Sequence, residues 1–139
     1  MNNKGEIVVK SSTKNLAIIR DYLEKELNKD GIGQSISNQI ILAVDEACTN
    51  IIKHTYKFED KYDIKLNFQK LPEKFVINIK YEGVPFNPND VEAPNMKEYF
   101  AKYKVGGLGI PLIKTFMSKI EYSRIKPNTN SLTLIKELS

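Results

Sequence analysis

Apolar residues recur at two different periods along this chain, and the change of period divides it. Leu16, Ile19, Leu23 and Leu27 follow one another at three- or four-residue intervals, the spacing of one helical stripe. The stretch NLAIIRDYLEKELNKD is therefore predicted helical, with Ser11, Ser12 and Thr13 available as caps and DGIG as the stop. A second helix is predicted to begin after Ser35 or Ser37 and to run through His54. Ile40, Val44, Ala47, Cys48 and Ile51 would lie on its core-facing arc. Before both helices, EIVVK at 6–10 has the β-branched composition of a short strand.

In the middle of the chain the period drops to two. YDIKLNFQ alternates Ile64, Leu66 and Phe68 with polar neighbours, and EKFVINIKY does the same with Phe75, Ile77, Ile79 and Tyr81. KLPE between them reads as a hairpin turn. Residues 82–105 carry no regular pattern, which suits a functional loop or lid. A third helix is predicted from GGLGIPLIKTFMSKI, with Pro111 suited to its first turn. IEYSRI and SLTLIKEL close the chain as two strands around the turn KPNTN. The order β-α-α-β-β-loop-α-β-β implies an α+β domain over residues 1–139. Its expected form is a two-layer sandwich, a mixed and mostly antiparallel sheet with helices on one face. The other face of the sheet offers a surface for a partner.

Composition narrows the class. Hydrophobic residues are 41% and charged ones 27%, as in an ordinary globular protein. No apolar run approaches the ~20 residues of a membrane span, and MNNKGEIVVK lacks a signal-peptide core. A cytoplasmic protein without membrane contact is expected. Cys48 is the sole cysteine, which excludes an internal disulfide and a cysteine-based zinc site. The net charge of +4 raises nucleic acid as a partner. Against it, the basic residues alternate with acids in RDYLEKELNKD and KFEDKYDIK and form no block, so direct nucleic-acid binding is not expected.

The densest chemistry lies in DEACTNIIKHTY, residues 45–56. On an ideal helix Glu46, Asn50 and His54 fall within ~80° of one another, beside the apolar arc and flanked by small Ala43 and Ala47. Such a stripe either lines a cleft or simply faces water. In a cleft, Asn50 would offer a neutral oxygen to a hydrated Mg²⁺, and Glu46 could accept a proton from an attacking hydroxyl. His54 could donate to a phosphate or fix the helix end. One imidazole and one carboxylate are too few ligands for zinc. Cys48 reads as a packed core thiol. Downstream, GGLG at 106–109 opening a helix is a plausible phosphate cradle, because glycine amides approach an anion closely at a helix N-terminus. Lys102 and Lys104 precede it and could reach phosphates or merely solubilise the loop.

Taken together, ExxxNxxxH on a helix, a strand ending in GVPFNP, a lid and then GGLGI resemble the GHKL ATPase superfamily and its Bergerat fold. Within it the chain looks like the small bacterial anti-sigma factor serine kinases. The resemblance implies Glu46 as general base, Asn50 as Mg²⁺ ligand and His54 beside the nucleotide. It implies Gly83, Pro85 and Phe86 at the adenine end and Gly106, Gly107, Leu108, Gly109, Ile110 and Lys104 around the phosphates, under a lid at 89–105. Ser131 falls where the family usually has a threonine near adenine. ATP and Mg²⁺ are the implied cofactors. A sigma factor and an anti-sigma factor antagonist are the implied partners, in a homodimer, and Arg20 is an expected partner contact.

One position departs from that pattern. The family's adenine turn begins Asp-x-Gly, and here Tyr81 stands in the place of the aspartate. Alternation points Tyr81 inward with Ile77 and Ile79 and turns Glu82 the other way. Replacing a charged acceptor would cost on the order of 1.5–3 kcal/mol, roughly 10- to 150-fold in affinity. Either adenine is bound through the phenol or water, or the domain is a protein-binding regulator that no longer uses ATP.

Overall fold

The computed structural model describes residues 3–83, 109–126 and 128–138. Strand β1 (Asn3–Lys10) leads through a tight 3-10 turn (Thr13–Asn15) into helix α1 (Leu16–Lys29). Helix α2 (Gln34–Asn50) follows and continues as a π-helical segment (Ile51–Thr55). Strands β2 (Asp63–Lys70) and β3 (Lys74–Glu82), helix α3 (Gly109–Phe116) and strands β4 (Lys119–Lys126) and β5 (Thr129–Glu137) complete the described chain.

The five strands form one sheet in the order β1-β2-β3-β5-β4. It is antiparallel at each pairing, not mixed. Chain reversal explains this: two helices between β1 and β2 bring the chain back for an antiparallel return, and tight turns join β2 to β3 and β4 to β5. The register stacks like on like. Ile64, Tyr81 and Asn130 form one cross-strand row, Leu66, Ile79 and Leu132 the next, and Phe68, Ile77 and Leu134 a third. All nine are buried.

The helices cover that buried face. Ile19, Leu23 and Leu27 of α1 and Ile40, Ala43, Val44, Ala47 and Cys48 of α2 join the strands in one core. Each such aliphatic side chain contributes about 1.5–3 kcal/mol by leaving water. The DGIG stop forms as the sequence implies. Gly31 takes φ +75°, while Ile32 N–H donates to Leu27 O and Gly31 N–H to Asn28 O, the double bond that closes a glycine-ended helix. The serines do not cap as expected. Ser11 donates its hydroxyl to Glu59 O, and Ser37 turns back to Ile32 O. Extended Gly33 takes the cap position, so α2 starts at Gln34, ahead of both serines. At the far end of α3, Lys136 Nζ donates to Phe116 O, the last carbonyl of the helix. Among the described residues no helix is long and apolar enough to cross a membrane.

Candidate active site on the second helix

Glu46 and Asn50 stand one turn apart on α2, at the margin of its buried face. Glu46 is half-buried. Burial raises its carboxyl above the ordinary glutamate value, the Asp45 charge adds to the rise, and Lys53 opposes it. A carboxylate held this way is a better proton acceptor than a solvated one. Asn50 is only 6% exposed, and its Nδ2 is buried with no hydrogen-bond partner among the described residues. An amide hydrogen in that state costs about 1–3 kcal/mol until an acceptor arrives. Rotating the amide by half a turn presents its oxygen instead, so the same group suits a phosphate oxygen or a hard cation. Among the described residues no group of three or more His, Cys, Asp or Glu side chains could hold a metal ion. Cys48, fully buried one turn before Ile52, has its thiol pushed up by burial and is no nucleophile.

Beyond Asn50 the helix widens. Tyr56 N–H donates to Ile51 O five residues back, at 3.1 Å, so the turn that carries His54 is π-helical. Half-buried His54 therefore lies in a turn that does not keep the 3.6-residue period assumed for the stripe. Lys57 and Phe58 then take φ of +48° and +67°, and the chain leaves sharply toward β2. Tyr56 stacks on Tyr62 there, with ring centroids 4.4 Å apart.

The end of β3 meets this segment. Gly83 has φ +115°, and a Cβ on it would lie 3.1 Å from Thr55 Cγ2 and 3.6 Å from Tyr56 Cε1. Two motifs distant in sequence are thereby brought into contact, the π-turn holding His54 and the turn that opens GVPFNP. Tyr81 points inward as alternation implies and is 2% exposed. The neighbouring carboxylate does not take that place: Glu82 is exposed, on the alternate face. Helix α3, opened by Gly109, packs against α2. The side chain of Ile110, and all of Pro85, Phe86, Lys104, Gly106, Gly107 and Leu108, lie outside the described residues, as does the 89–105 lid.

Ser131, expected near the adenine, lies on the outer face of the sheet, where its hydroxyl accepts from Asn78 Nδ2 at 2.8 Å. The residue on the helix side is its neighbour, fully buried Asn130. The parity was legible, since Asn130 alternates with Leu132 and Leu134. Reading KPNTN as a turn hid it, because β5 begins at Thr129, inside that stretch. Lys53, the cation acting on Glu46, was also missed. Arg20 is engaged within the chain, its Nη1 2.7 Å from Asp45 Oδ1 across the α1–α2 pair.

This arrangement matches known proteins. A family described as the histidine kinase-like ATPase domain matches residues 9–136. The chain belongs to that family. The serine-protein kinase RsbW of Bacillus mycoides (strain KBAB4) is 31% identical over 127 residues, covering 85% of this chain and 76% of the relative. RsbW of Bacillus cereus (strain ATCC 10987 / NRS 248) is 30% identical over the same length. These relatives place the chain on the anti-sigma factor serine kinase branch of the histidine kinase-like ATPases. In three dimensions the RsbU and RsbW domains of Rv1364c from Mycobacterium tuberculosis align with a TM-score of 0.68 at 15% identity. That alignment covers 98% of this chain and 32% of the larger protein. The histidine kinase domain from Erythrobacter litoralis EL346 aligns at 0.52 with 16% identity, over 91% of this chain and 60% of that one. Both likenesses concern the fold.

Proposed function

We propose that this protein is a Mg²⁺- and ATP-dependent serine/threonine protein kinase that also acts as an anti-sigma factor. In this reading it phosphorylates an antagonist protein and regulates transcription by partner switching, as a cytoplasmic homodimer. The observation that carries the reading is the α2 wall: a half-buried carboxylate with a raised pKa, one turn from a buried carboxamide whose Nδ2 has no hydrogen-bond partner among the described residues. Packing alone gives no reason to bury that pair together.

Bound Mg·ATP supplies the γ-phosphoryl group and the charge neutralisation its transfer requires. Asn50 holds the phosphate–metal end through its carboxamide. Glu46 orients the acceptor serine and takes the proton from its hydroxyl. Lys53 partly offsets the rise that burial and Asp45 impose on the Glu46 carboxyl. Gly83, free of a Cβ, lets the β3 exit turn close onto Thr55 and Tyr56 at the adenine end. Calorimetry with Mg·ATP tests the core of the proposal. Measurable heat and a nucleotide-dependent rise in melting temperature are expected, and neither at millimolar ATP would dismiss the kinase.

A second reading draws on Tyr81. Its ring lies in the core where the family pattern puts a carboxylate, so a regulator that sequesters its partner without nucleotide has a specific observation in its favour. Partner binding that is tight and indifferent to ATP would select it.

A further inference from the structure

At the end of β3 one buried side chain ties three pieces of chain together. Asn130 is fully buried. Its Nδ2 donates to the carbonyls of Tyr81 at 3.2 Å and Gly83 at 3.1 Å. Its Oδ1 accepts from the Tyr122 hydroxyl at 2.5 Å and from Arg124 Nη1 at 3.3 Å. Arg124 Nη1 also reaches Gly83 O at 3.2 Å, and Gly83 N–H donates to Asn128 O at 2.9 Å. Both backbone groups of Gly83 are thus held from the β4–β5 hairpin.

Only a carboxamide satisfies this set. The two carbonyls need donors, while the phenol and the guanidinium need an acceptor. Aspartate would turn oxygens toward both carbonyls, and leucine would remove the bonds that Asn130 gives to Tyr81 O, Gly83 O and the Tyr122 hydroxyl, leaving Gly83 O to Arg124 alone. The sheet itself requires neither, since Leu132 and Leu134 serve the same face of β5 by packing alone.

We propose that Asn130 is a positioning residue: it fixes the positive-φ turn at Gly83 through which β3 leaves the sheet, and thereby shapes the base end of the pocket. The second half of this statement rests on the nucleotide-binding function proposed above, whereas the first concerns the chain alone. Asn130 does not touch the reacting atoms. It acts through the Tyr81 and Gly83 carbonyls.

Two readouts test it. In the nucleotide-free protein, Asn130→Asp is expected to speed hydrogen exchange at the Gly83 amide by about tenfold or more, with the Ile77 and Leu134 amides within about twofold. Tyr122→Phe removes one bond to Oδ1 and keeps both carbonyl bonds, so a smaller acceleration at the same amide is expected; it also serves if Asn130→Asp does not fold. With Mg·ATP and acceptor protein, Asn130→Asp should raise the KM for ATP about tenfold and leave kcat within about threefold, the signature of lost uniform binding. Unchanged exchange at Gly83, or equal acceleration across the sheet, would overturn the positioning role. A fall in kcat at constant KM would overturn its link to the base end. A wild-type chain that binds no ATP would sink the kinase reading, and the Gly83 exchange would still decide whether Asn130 holds the turn.

Discussion

Glu46 carries opposite consequences for chemistry and for stability. Because its carboxyl is raised in the folded state, mainly by burial, the protonated form is favoured on folding. Its contribution to stability is complete below the unfolded value of about 4.3 and is lost as pH rises through the higher folded value. Glu46→Gln is therefore expected to melt higher than wild type at neutral pH, with the advantage vanishing below about pH 4. The same variant should retain nucleotide and lose phosphoryl transfer. Calorimetric melts across pH, run beside a transfer assay, check both. Undiminished transfer would clear Glu46 of the base role.

Tyr81 sets a second test at this scale. Restoring the carboxylate with Tyr81→Asp should tighten Mg·ATP binding by roughly 10- to 150-fold, the worth of a charged acceptor for a buried donor. Without nucleotide the variant should be less stable by about 2–5 kcal/mol, because a buried ring is removed and a carboxylate buried in its place. Titration calorimetry and urea unfolding measure the two effects separately. Loss of stability with no gain in affinity would mean that Tyr81 does not occupy the base-recognition position.

Among the elements, α2 shows how far periodicity reads. Its apolar arc and the Glu46–Asn50 spacing follow from 3.6 residues per turn, and both are as the sequence implies. The π-turn is not encoded by any apolar period. It arises where Ile51, Ile52 and Tyr56 are all buried after Asn50, and it takes the turn that carries His54 out of the 3.6-residue period. Helix α3 shows the complementary case. Its glycine start is visible in GGLGI, but the cation at its other end comes from Lys136 on β5, twenty residues away. Lys136→Met keeps the aliphatic stem and removes the ammonium from Phe116 O. A loss of about 1–2 kcal/mol is expected, read as a lower urea midpoint at an unchanged slope. An unchanged midpoint would show that the capping contact contributes nothing.

For the molecule as a whole, the α1–α2 face bears on partners. Arg20 joins Asp45 across the two helices, but with side-chain exposures of 45% and 23% the pair is worth about 0–1 kcal/mol to stability. A large effect of Arg20→Ala must then lie elsewhere. We expect stability within about 1 kcal/mol of wild type, and a sigma-factor affinity weakened about tenfold or more if Arg20 is an intermolecular contact. Surface binding kinetics with the variant decide it, and unchanged affinity would leave Arg20 a helix-bridging residue only.

The sequence by itself determined the elements, the layer arrangement and the chemical content of the α2 wall. These depend on local spacing, and spacing is written in one dimension: Ile64, Leu66 and Phe68 must share a face, and so must Ile77, Ile79 and Tyr81. It also marked Tyr81 as the odd residue at the β3 turn. Only the tertiary structure decided which groups meet across the sheet. The β3–β5 register placed Asn130, not Ser131, beside Tyr81, and a single residue of strand boundary controls that choice because side chains alternate faces. It likewise brought Gly83 against Thr55, Lys136 to the end of α3 and Arg20 to Asp45. Each is a contact between segments far apart in the chain, fixed by how buried surfaces pack and not by any local propensity.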